Sequence, residues 1–190
     1  MNIERTDFRN KILQNILDVP IDINTLKYTG FKLSSVLIII HFTDSIPRII
    51  LTKRHSSLQH HANEISFPGG TFQDKDLSLL YTALRETEEE IGLIFHPDEI
   101  IGCFQTVRTL TSNFIILPFI TIQDRIDKPT ILIKEVTEVL DIPVFDLFEC
   151  LDNNFKYKNF QNSYLFRYDN KIIWGATARI IKQLRDCFYE

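Results

Sequence analysis

The sequence predicts an α/β or α+β sandwich built around one core. Short apolar runs with the length of buried strands are interspersed with segments whose apolar residues recur every three to four positions, as in amphipathic helices. At 190 residues the chain is long enough for one well-buried core and too short for two ordinary domains. It contains no internal repeat, low-complexity stretch or linker. We therefore expect a single domain over residues 1–190.

The first third of the chain predicts a helix, a hairpin and a long loop. Residues 2–17 carry apolar side chains about one turn apart and should form an amphipathic helix. The apolar runs at 34–42 and 48–54 flank the turn-forming sequence TDSIP and should pair as a β-hairpin. Residues 55–76 are rich in polar residues, glycine and proline around a short strand at 64–67. Long loop regions of this kind tend to be functional.

A second helix is predicted over residues 77–91. Asp76 or Ser78 can serve as its N-cap, and Gly92 stands where a C-terminal stop is expected. Five residues share a stripe that should face the core: Leu80, Ala83, Leu84, Thr87 and Ile91.

The remaining elements alternate between strands and helices. Strands are expected at about 100–107, 114–122 and 135–140. A short helix should begin at Pro143. The last elements are two aromatic strands forming a hairpin, at 155–160 and 163–169, and a closing helix at 176–189.

Charge and composition exclude several classes of protein. A net charge of −4 and a pI near 5.7 argue against binding nucleic acid through its phosphates. The longest apolar run, residues 36–42, is far shorter than the roughly 20 residues that span a bilayer, so we expect no membrane segment. The N-terminus lacks the apolar core of a signal peptide. Cys103, Cys150 and Cys187 are widely spaced and should be free thiols, which favours a reducing, cytoplasmic setting.

Three glutamates cluster on one side of the second predicted helix. At about 100° per residue, Glu86, Glu89 and Glu90 share an arc beside the core-facing stripe. Glu88 points elsewhere. Like charges four residues apart, and acids near a helix C-terminus, are unfavourable, so a cation should offset them. Arg85 can pair with Glu89 but cannot neutralise all three. Clustered oxygen ligands suit Mg²⁺ or Mn²⁺, and a solvated acidic face is the alternative.

The glycine turn ahead of this helix strengthens the metal interpretation. In the sequence FPGG, Phe67 ends a strand and Pro68 makes a rigid bend. Gly69 and Gly70 stand where backbone can approach an ion or a phosphate closely. Either glycine carbonyl could join the glutamates around a metal.

The turn and the helix together resemble the Nudix hydrolases, whose box is G-x5-E-x7-R-E-U-x-E-E-x-G-U, where U is a bulky apolar residue. The corresponding box here covers residues 70–93. Its second half, residues 85–93, matches apart from Thr87 at a U position. In the first half Asp76 stands where glutamate is usual, and Arg85 lies one residue further along the chain.

This extra residue, together with the aspartate, is similar to the coenzyme A diphosphatase branch of the family. The residues in register with that branch before the helix are Leu51, Thr52, Arg54, Leu58, His61, Ile65, Phe67, Pro68, Gly69 and Gly70. The closing sequence IIWGATARII at 172–181 is similar as well. Asn63 and Glu64 replace the branch's glycine and glutamine, and Gln73 replaces its usual aspartate. The resemblance implies an α/β/α sandwich with a mixed β-sheet.

The resemblance also implies a function and a set of site residues. The reaction would be metal-dependent cleavage of the diphosphate of coenzyme A or a derivative to adenosine 3′,5′-bisphosphate and 4′-phosphopantetheine. The implied metal ligands are Glu86, Glu89, Glu90 and the Gly69 carbonyl, and the cation is Mg²⁺ or Mn²⁺. The implied catalytic residues are Glu89 as general base, with Glu135 or Glu138 as the next choices, and Arg85.

Substrate contacts are expected from Arg54, His61 and the backbone of Gly70. Arg54 suits bidentate phosphate binding, whereas His61 could equally stabilise its loop. Arg108 is a further candidate with a surface role as the alternative. Trp174 could stack on a base, although packing for the last helix is the simpler interpretation.

Two alternatives to coenzyme A hydrolysis remain at this stage. Asn63 and Glu64 allow another nucleoside diphosphate derivative, such as a sugar nucleotide or a dinucleotide, as the substrate. A Nudix module that binds a nucleotide without cleaving it is the other reading, although such modules usually lose box glutamates that this chain keeps. The expected partner is a small nucleotide, and a homodimer is a possible assembly.

Overall fold

A computed structural model describes residues 3–18, 30–55, 63–110, 112–152 and 163–189. The helices in this part of the chain are α1 (Arg5–Leu13), α2 (Leu79–Ile91), α3 (Val144–Glu149) and α4 (Gly175–Tyr189). The main sheet comprises β1 (Lys32–Thr43), β2 (Ile46–Arg54), β3 (Ile65–Ser66), β4 (Gly69–Thr71), β5 (Ile100–Cys103), β6 (Val107–Arg108), β7 (Phe114–Gln123) and β8 (Val136–Pro143). A separate hairpin is formed by β9 (Leu165–Tyr168) and β10 (Lys171–Trp174).

The main sheet is mixed and is organised around β1. One edge of β1 pairs in parallel with β7, from Lys32↔Phe114 to His41↔Gln123. The other edge pairs antiparallel with β2 near their shared turn and then with β4 at Val36↔Gly69. β3 pairs with β2 at Lys53↔Ile65. The segment containing β3 and β4 therefore fills the fork where β1 and β2 separate, and the glycine turn lies at the centre of the sheet.

Helices cover both faces of this sheet. Successive side chains of a strand point to opposite faces. Ile38 and Ile40 of β1 accordingly belong to one buried cluster, whereas Leu37 and Ile39 belong to another. The first cluster includes buried residues of α1, α3 and α4, and the second includes those of α2. The predicted α/β/α sandwich with a mixed sheet is confirmed.

An aromatic cluster ties the N-terminal helix to the rest of the fold. Phe8 of α1 is fully buried, and its ring centroid lies 5.8 Å from that of Phe42, 6.0 Å from Phe145 and 4.8 Å from Phe188. Rings at these separations attract one another in addition to burying apolar area. The periodicity that predicted this helix therefore marks a face that packs on α3 and α4.

Most predicted elements are confirmed, with shifted ends. The helix predicted at 2–17 is observed as Arg5–Leu13, and the strand predicted at 100–107 is divided into β5 and β6. The first hairpin turns at Asp44 and Ser45, both in the left-handed region. The predicted free thiols are confirmed, since none of the three cysteines forms a disulfide.

The predicted aromatic hairpin is described only in part. Strands at 155–160 and 163–169 were expected to pair with each other, and the strand at Leu165–Tyr168 pairs with Lys171–Trp174, a strand that was not predicted. The turn between them uses Asp169 and Asn170 in the left-handed region, which suits a two-residue hairpin. Residues 155–160 lie outside the described residues. Among the described helices, none has the length and apolar character needed to cross a membrane.

Candidate active site

The acidic face is carried by α2, whose ends are set by local chemistry. The Ser78 hydroxyl accepts a hydrogen bond from the Tyr81 backbone N–H at 3.4 Å, so Ser78 is the N-cap. Gly92 ends the helix with a φ of 69°, a conformation that glycine adopts without strain. The predicted core stripe is buried throughout. Thr87, the exception in the box, donates its hydroxyl to the Ala83 carbonyl at 2.7 Å and so fits an apolar position.

Asp76 anchors Arg85. Its two carboxylate oxygens accept from Arg85 Nε at 2.8 Å and Nη2 at 3.0 Å. The Thr82 hydroxyl and the Gln73 backbone N–H also donate to this carboxylate. The hydrogen bonds from Arg85, acting against burial, lower the pKa of Asp76 to about 2. Asp76 therefore fixes the guanidinium beside α2, and it is not the N-cap.

Arg85 in turn holds two of the three clustered glutamates. Its Nη1 donates to Glu86 Oε1 at 2.8 Å and to Glu89 Oε2 at 3.0 Å. The Glu86 side chain is mostly buried, whereas that of Glu89 is 49% exposed. The hydrogen bonds to Asp76 and Glu86 raise the pKa of Arg85 further above its ordinary value. One guanidinium thus pairs with three carboxylates, those of Asp76, Glu86 and Glu89.

Glu90 is the carboxylate that Arg85 does not reach. It is 4% exposed, and its Oε2 has no hydrogen-bond partner in the described part of the chain. Burial raises its pKa to about 8, while the positive charge of Arg54 and the Gly69 backbone N–H oppose the rise. A buried carboxylate oxygen without a partner is uncommon and calls for a cation or a proton.

The glycine turn fits closely against β1 and this acidic cluster. Gly69 has a φ of 148°, and a Cβ there would lie 2.3 Å from the Ser35 carbonyl oxygen. A Cβ on Gly70 would lie 2.4 Å from Glu86 Cδ. The Gly70 carbonyl accepts from the Ser34 hydroxyl at 2.6 Å. Glycine is therefore required at both positions, because an added side chain would collide with β1 at Gly69 and with Glu86 of α2 at Gly70.

Arg54 is brought to the same place by β2. Its Nη2 pairs with Glu135 Oε2 at 3.1 Å, and its Nε is buried without a partner among the described residues. Glu138, which was also predicted to lie at the site, pairs with Lys171 of β10 at 3.3 Å. In the β2 and β8 register Glu138 is opposite Lys53, next to a register shift at Arg54. The structure thus joins Glu135, and not Glu138, to Arg54. His61 lies outside the described residues.

A cleft of about 280 Å³ opens beside these groups. Its lining includes Arg54, Glu64, Gly69, Gly70, Trp174 and Thr177. Glu64, noted in the sequence as a departure, therefore faces the space next to Arg54. Arg108 is exposed, and its guanidinium lies 5.3 Å from the ring centroid of Phe31.

The residues present fit a hard divalent cation. The side chains and backbone groups at the cluster offer oxygen ligands, which Mg²⁺ and Mn²⁺ prefer, and one buried Glu90 oxygen has no hydrogen-bond partner in the described part of the chain. Within the described residues, no three His, Cys, Asp or Glu side chains are already arranged to hold a metal. Arg85 explains this, because its guanidinium draws Glu86 and Glu89 toward itself. The fit to a divalent cation therefore rests on the oxygen chemistry of these groups and not on their present positions.

Comparisons with known proteins agree with this geometry. The NUDIX domain family matches residues 32–129. A relative called uncharacterized Nudix hydrolase NudL, from Cronobacter sakazakii, is 33% identical over 144 residues, covering 73% of each chain. Its counterpart from Photorhabdus laumondii is 27% identical over 148 residues, covering 73% of this chain and 75% of the relative.

Solved structures share the fold. The NUDIX domain of Shewanella oneidensis NrtR, complexed with ADP ribose, superposes with a TM-score of 0.61 at 17% identity, covering 88% of this chain and 98% of that one. A MutT/nudix family protein from Enterococcus faecalis gives a TM-score of 0.58 at 13% identity, covering 96% of this chain and 68% of that one. The chain belongs to the Nudix family. It is a Nudix hydrolase, an enzyme that acts on nucleoside diphosphate derivatives.

Proposed function

We propose that this Nudix hydrolase uses Mg²⁺ or Mn²⁺ to cleave the diphosphate of coenzyme A or its derivatives, releasing adenosine 3′,5′-bisphosphate and (acyl-)4′-phosphopantetheine. The hydrolytic part rests on the buried Glu90 carboxylate, one oxygen of which has no hydrogen-bond partner among the described residues. Glu86, which lies against Gly70, and Glu89 are on the same helix and are both bound by Arg85. The choice of coenzyme A rests on the residue pattern at 51–70 and 172–181.

In this proposal Glu86, Glu89, Glu90 and the Gly69 carbonyl hold the cation. A bound divalent ion would screen the diphosphate, stabilise charge on the leaving oxygen and lower the pKa of a water molecule. The protein's own contribution is orientation. Asp76 fixes Arg85, and Arg85 limits the positions that Glu86 and Glu89 can take.

Glu89 is the proposed general base. It is the most exposed of the three clustered glutamates, so it can reach a water molecule. Glu135 and Glu138 are the alternatives. Of these two, Glu135 is supported by its contact with Arg54, whereas Glu138 would first have to leave Lys171.

Substrate phosphates would lie against Arg54, His61 and the Gly70 backbone. Arg54 offers a buried Nε without a partner in the described part of the chain, which a phosphate oxygen could satisfy. We further propose that residues 1–190 act as one domain on a small nucleotide in the cytoplasm, with a homodimer as a possible assembly.

A second substrate class is favoured by Glu64. Its place in the lining of the cleft sets a carboxylate near the space proposed for phosphates. A negative charge there disfavours a substrate with an additional phosphate, such as coenzyme A. ADP-ribose or a dinucleotide would then be preferred, with the same hydrolytic residues.

The test is chromatographic product analysis with coenzyme A, ADP-ribose and a dinucleotide, each incubated with Mg²⁺ or Mn²⁺. Glu89→Gln should abolish turnover. Glu88→Gln is the matched control, because Glu88 is exposed on the same helix and lies outside the cluster. Adenosine 3′,5′-bisphosphate from coenzyme A alone supports the proposal. Turnover of ADP-ribose or the dinucleotide instead would overturn the assignment of coenzyme A and leave the Nudix chemistry in place.

A further inference from the structure

The cleft beside the acidic cluster is also lined by uncharged residues of another part of the fold. They belong to the end of β10 and the first turn of α4, and they include Trp174 and Thr177. A volume of about 280 Å³ is at the low end for a ligand site, so the cleft accommodates one part of a nucleotide substrate. Because Arg54 and Gly70 are the lining groups suited to phosphate, Trp174 is left for a group that the diphosphate links.

Trp174 faces the cleft and not the core. Ile173 is fully buried and belongs to the cluster that contains α4, so it supplies the packing for that helix. Alternation along β10 turns Trp174 to the opposite side, where it is 39% exposed. The packing role that the sequence suggested for Trp174 is therefore filled by Ile173.

The other aromatic side chains in the lining are less suited to stacking. Phe67 is almost completely buried. Phe114 is partly buried, and the Lys32 ammonium lies 5.8 Å from its ring centroid. Trp174 is thus the aromatic side chain that offers the most open surface to a ligand in this cleft.

We propose that Trp174 is the specificity-determining residue for the nucleoside half of the substrate, stacking on its base in the cleft. A planar base presents a large apolar face, which suits an indole ring, whereas a flexible chain of amides does not. Several hydroxyl side chains in the lining can accept hydrogen bonds from the base edge or the ribose. The inference rests on the proposed function only in requiring that a nucleoside diphosphate enters this cleft.

The first test uses the fact that Trp174 is the only tryptophan of the chain. Tryptophan emission is followed while AMP is added, and separately while ribose 5-phosphate is added, which has the same phosphate and sugar without the base. N-acetyltryptophanamide corrects for quenching by free adenine. A saturable change with AMP and none with ribose 5-phosphate is expected. Unchanged emission with AMP, or equal changes with both ligands, would overturn the proposal.

The second test compares variants in hydrolysis. Trp174→Ala should raise KM roughly ten- to a hundredfold at unchanged kcat. Trp174→Phe keeps an aromatic ring, so its KM should stay close to that of the wild type. Ile172→Ala is the matched control, because Ile172 is exposed on the same side of β10 but outside the lining of the cleft. Equal KM values for Trp174→Ala and Ile172→Ala would refute the assignment.

These outcomes are separable from those of the proposed function. Coenzyme A and ADP-ribose both contain adenine, so the emission test remains valid even where coenzyme A is not the substrate. Turnover of coenzyme A with an unaltered KM in Trp174→Ala would instead sustain the proposed function and refute the role of Trp174.

Discussion

Replacing Gly70 by alanine should displace one glutamate of the active site while leaving the fold in place. The added Cβ would lie 2.4 Å from Glu86 Cδ and 2.6 and 2.7 Å from its two oxygens. Nonbonded carbon atoms are most stable at roughly 3.5–4.0 Å, so the carboxylate must move by about 1 Å or more. Since it is the far end of a flexible side chain, it moves before the backbone does.

The expected effect is large on activity and small on stability. A misplacement of about 1 Å can reduce a rate about a hundredfold, and we expect a loss of that size in kcat/KM. The hydrogen bond between Arg85 and Glu86 would be lost, which costs about 1 kcal/mol of unfolding free energy. The measurements are kcat/KM across a series of Mg²⁺ concentrations and urea unfolding of the metal-free protein.

A double-mutant cycle separates this mechanism from general damage. If Gly70→Ala acts through Glu86, adding it to Glu86→Gln should reduce kcat/KM little further. A Gly70→Ala enzyme within threefold of the wild type would refute the reasoning. So would a full hundredfold loss in the Glu86→Gln background, because Gly70 would then act through another group.

Three further predictions follow from the same contacts. In EDTA, the stability that Glu90 contributes should be complete below its ordinary pKa of 4.5 and be lost as pH rises through about 8. Glu90→Gln should therefore flatten the fall of Tm between these values. Asp76→Asn should lower the unfolding free energy by about 2 kcal/mol in urea at neutral pH, and the difference should vanish as pH falls from 3.8 through about 2. Phe8→Ala should cost about 3–5 kcal/mol in the same assay, with kcat/KM unchanged while the protein is folded.

Local features of the site were predictable from sequence because they depend on helical periodicity alone. The buried stripe of α2 and the separation of Glu88 from the other glutamates follow from 3.6 residues per turn. Gly92 is marked by its place after the last apolar residue. The limits of each element were less certain, because tertiary contacts decide where a helix or strand ends.

Long-range contacts were not predictable in the same way. Aspartate is a common N-cap residue, and only the fold shows that the Asp76 carboxylate binds Arg85 instead. Glu135 and Glu138 both follow an apolar run, and the register shift beside Arg54 decides which one pairs with it. The final hairpin turns at Asp169, which is in the left-handed region. This residue was expected to lie inside a strand at 163–169.

The parallel ladder between β1 and β7 has a consequence for how the protein folds. Lys32 pairs with Phe114, so forming this ladder closes a loop that contains the glycine turn, α2 and the cleft-lining strands between them. Pairing across such a distance in the chain is slow compared with local contacts. Helix α2 can form early from its own caps, but Gly70 meets Glu86 only after β4 has joined β1. We therefore expect hydrolytic competence to arise late in folding, because the backbone that confines the Glu86 carboxylate is then in place.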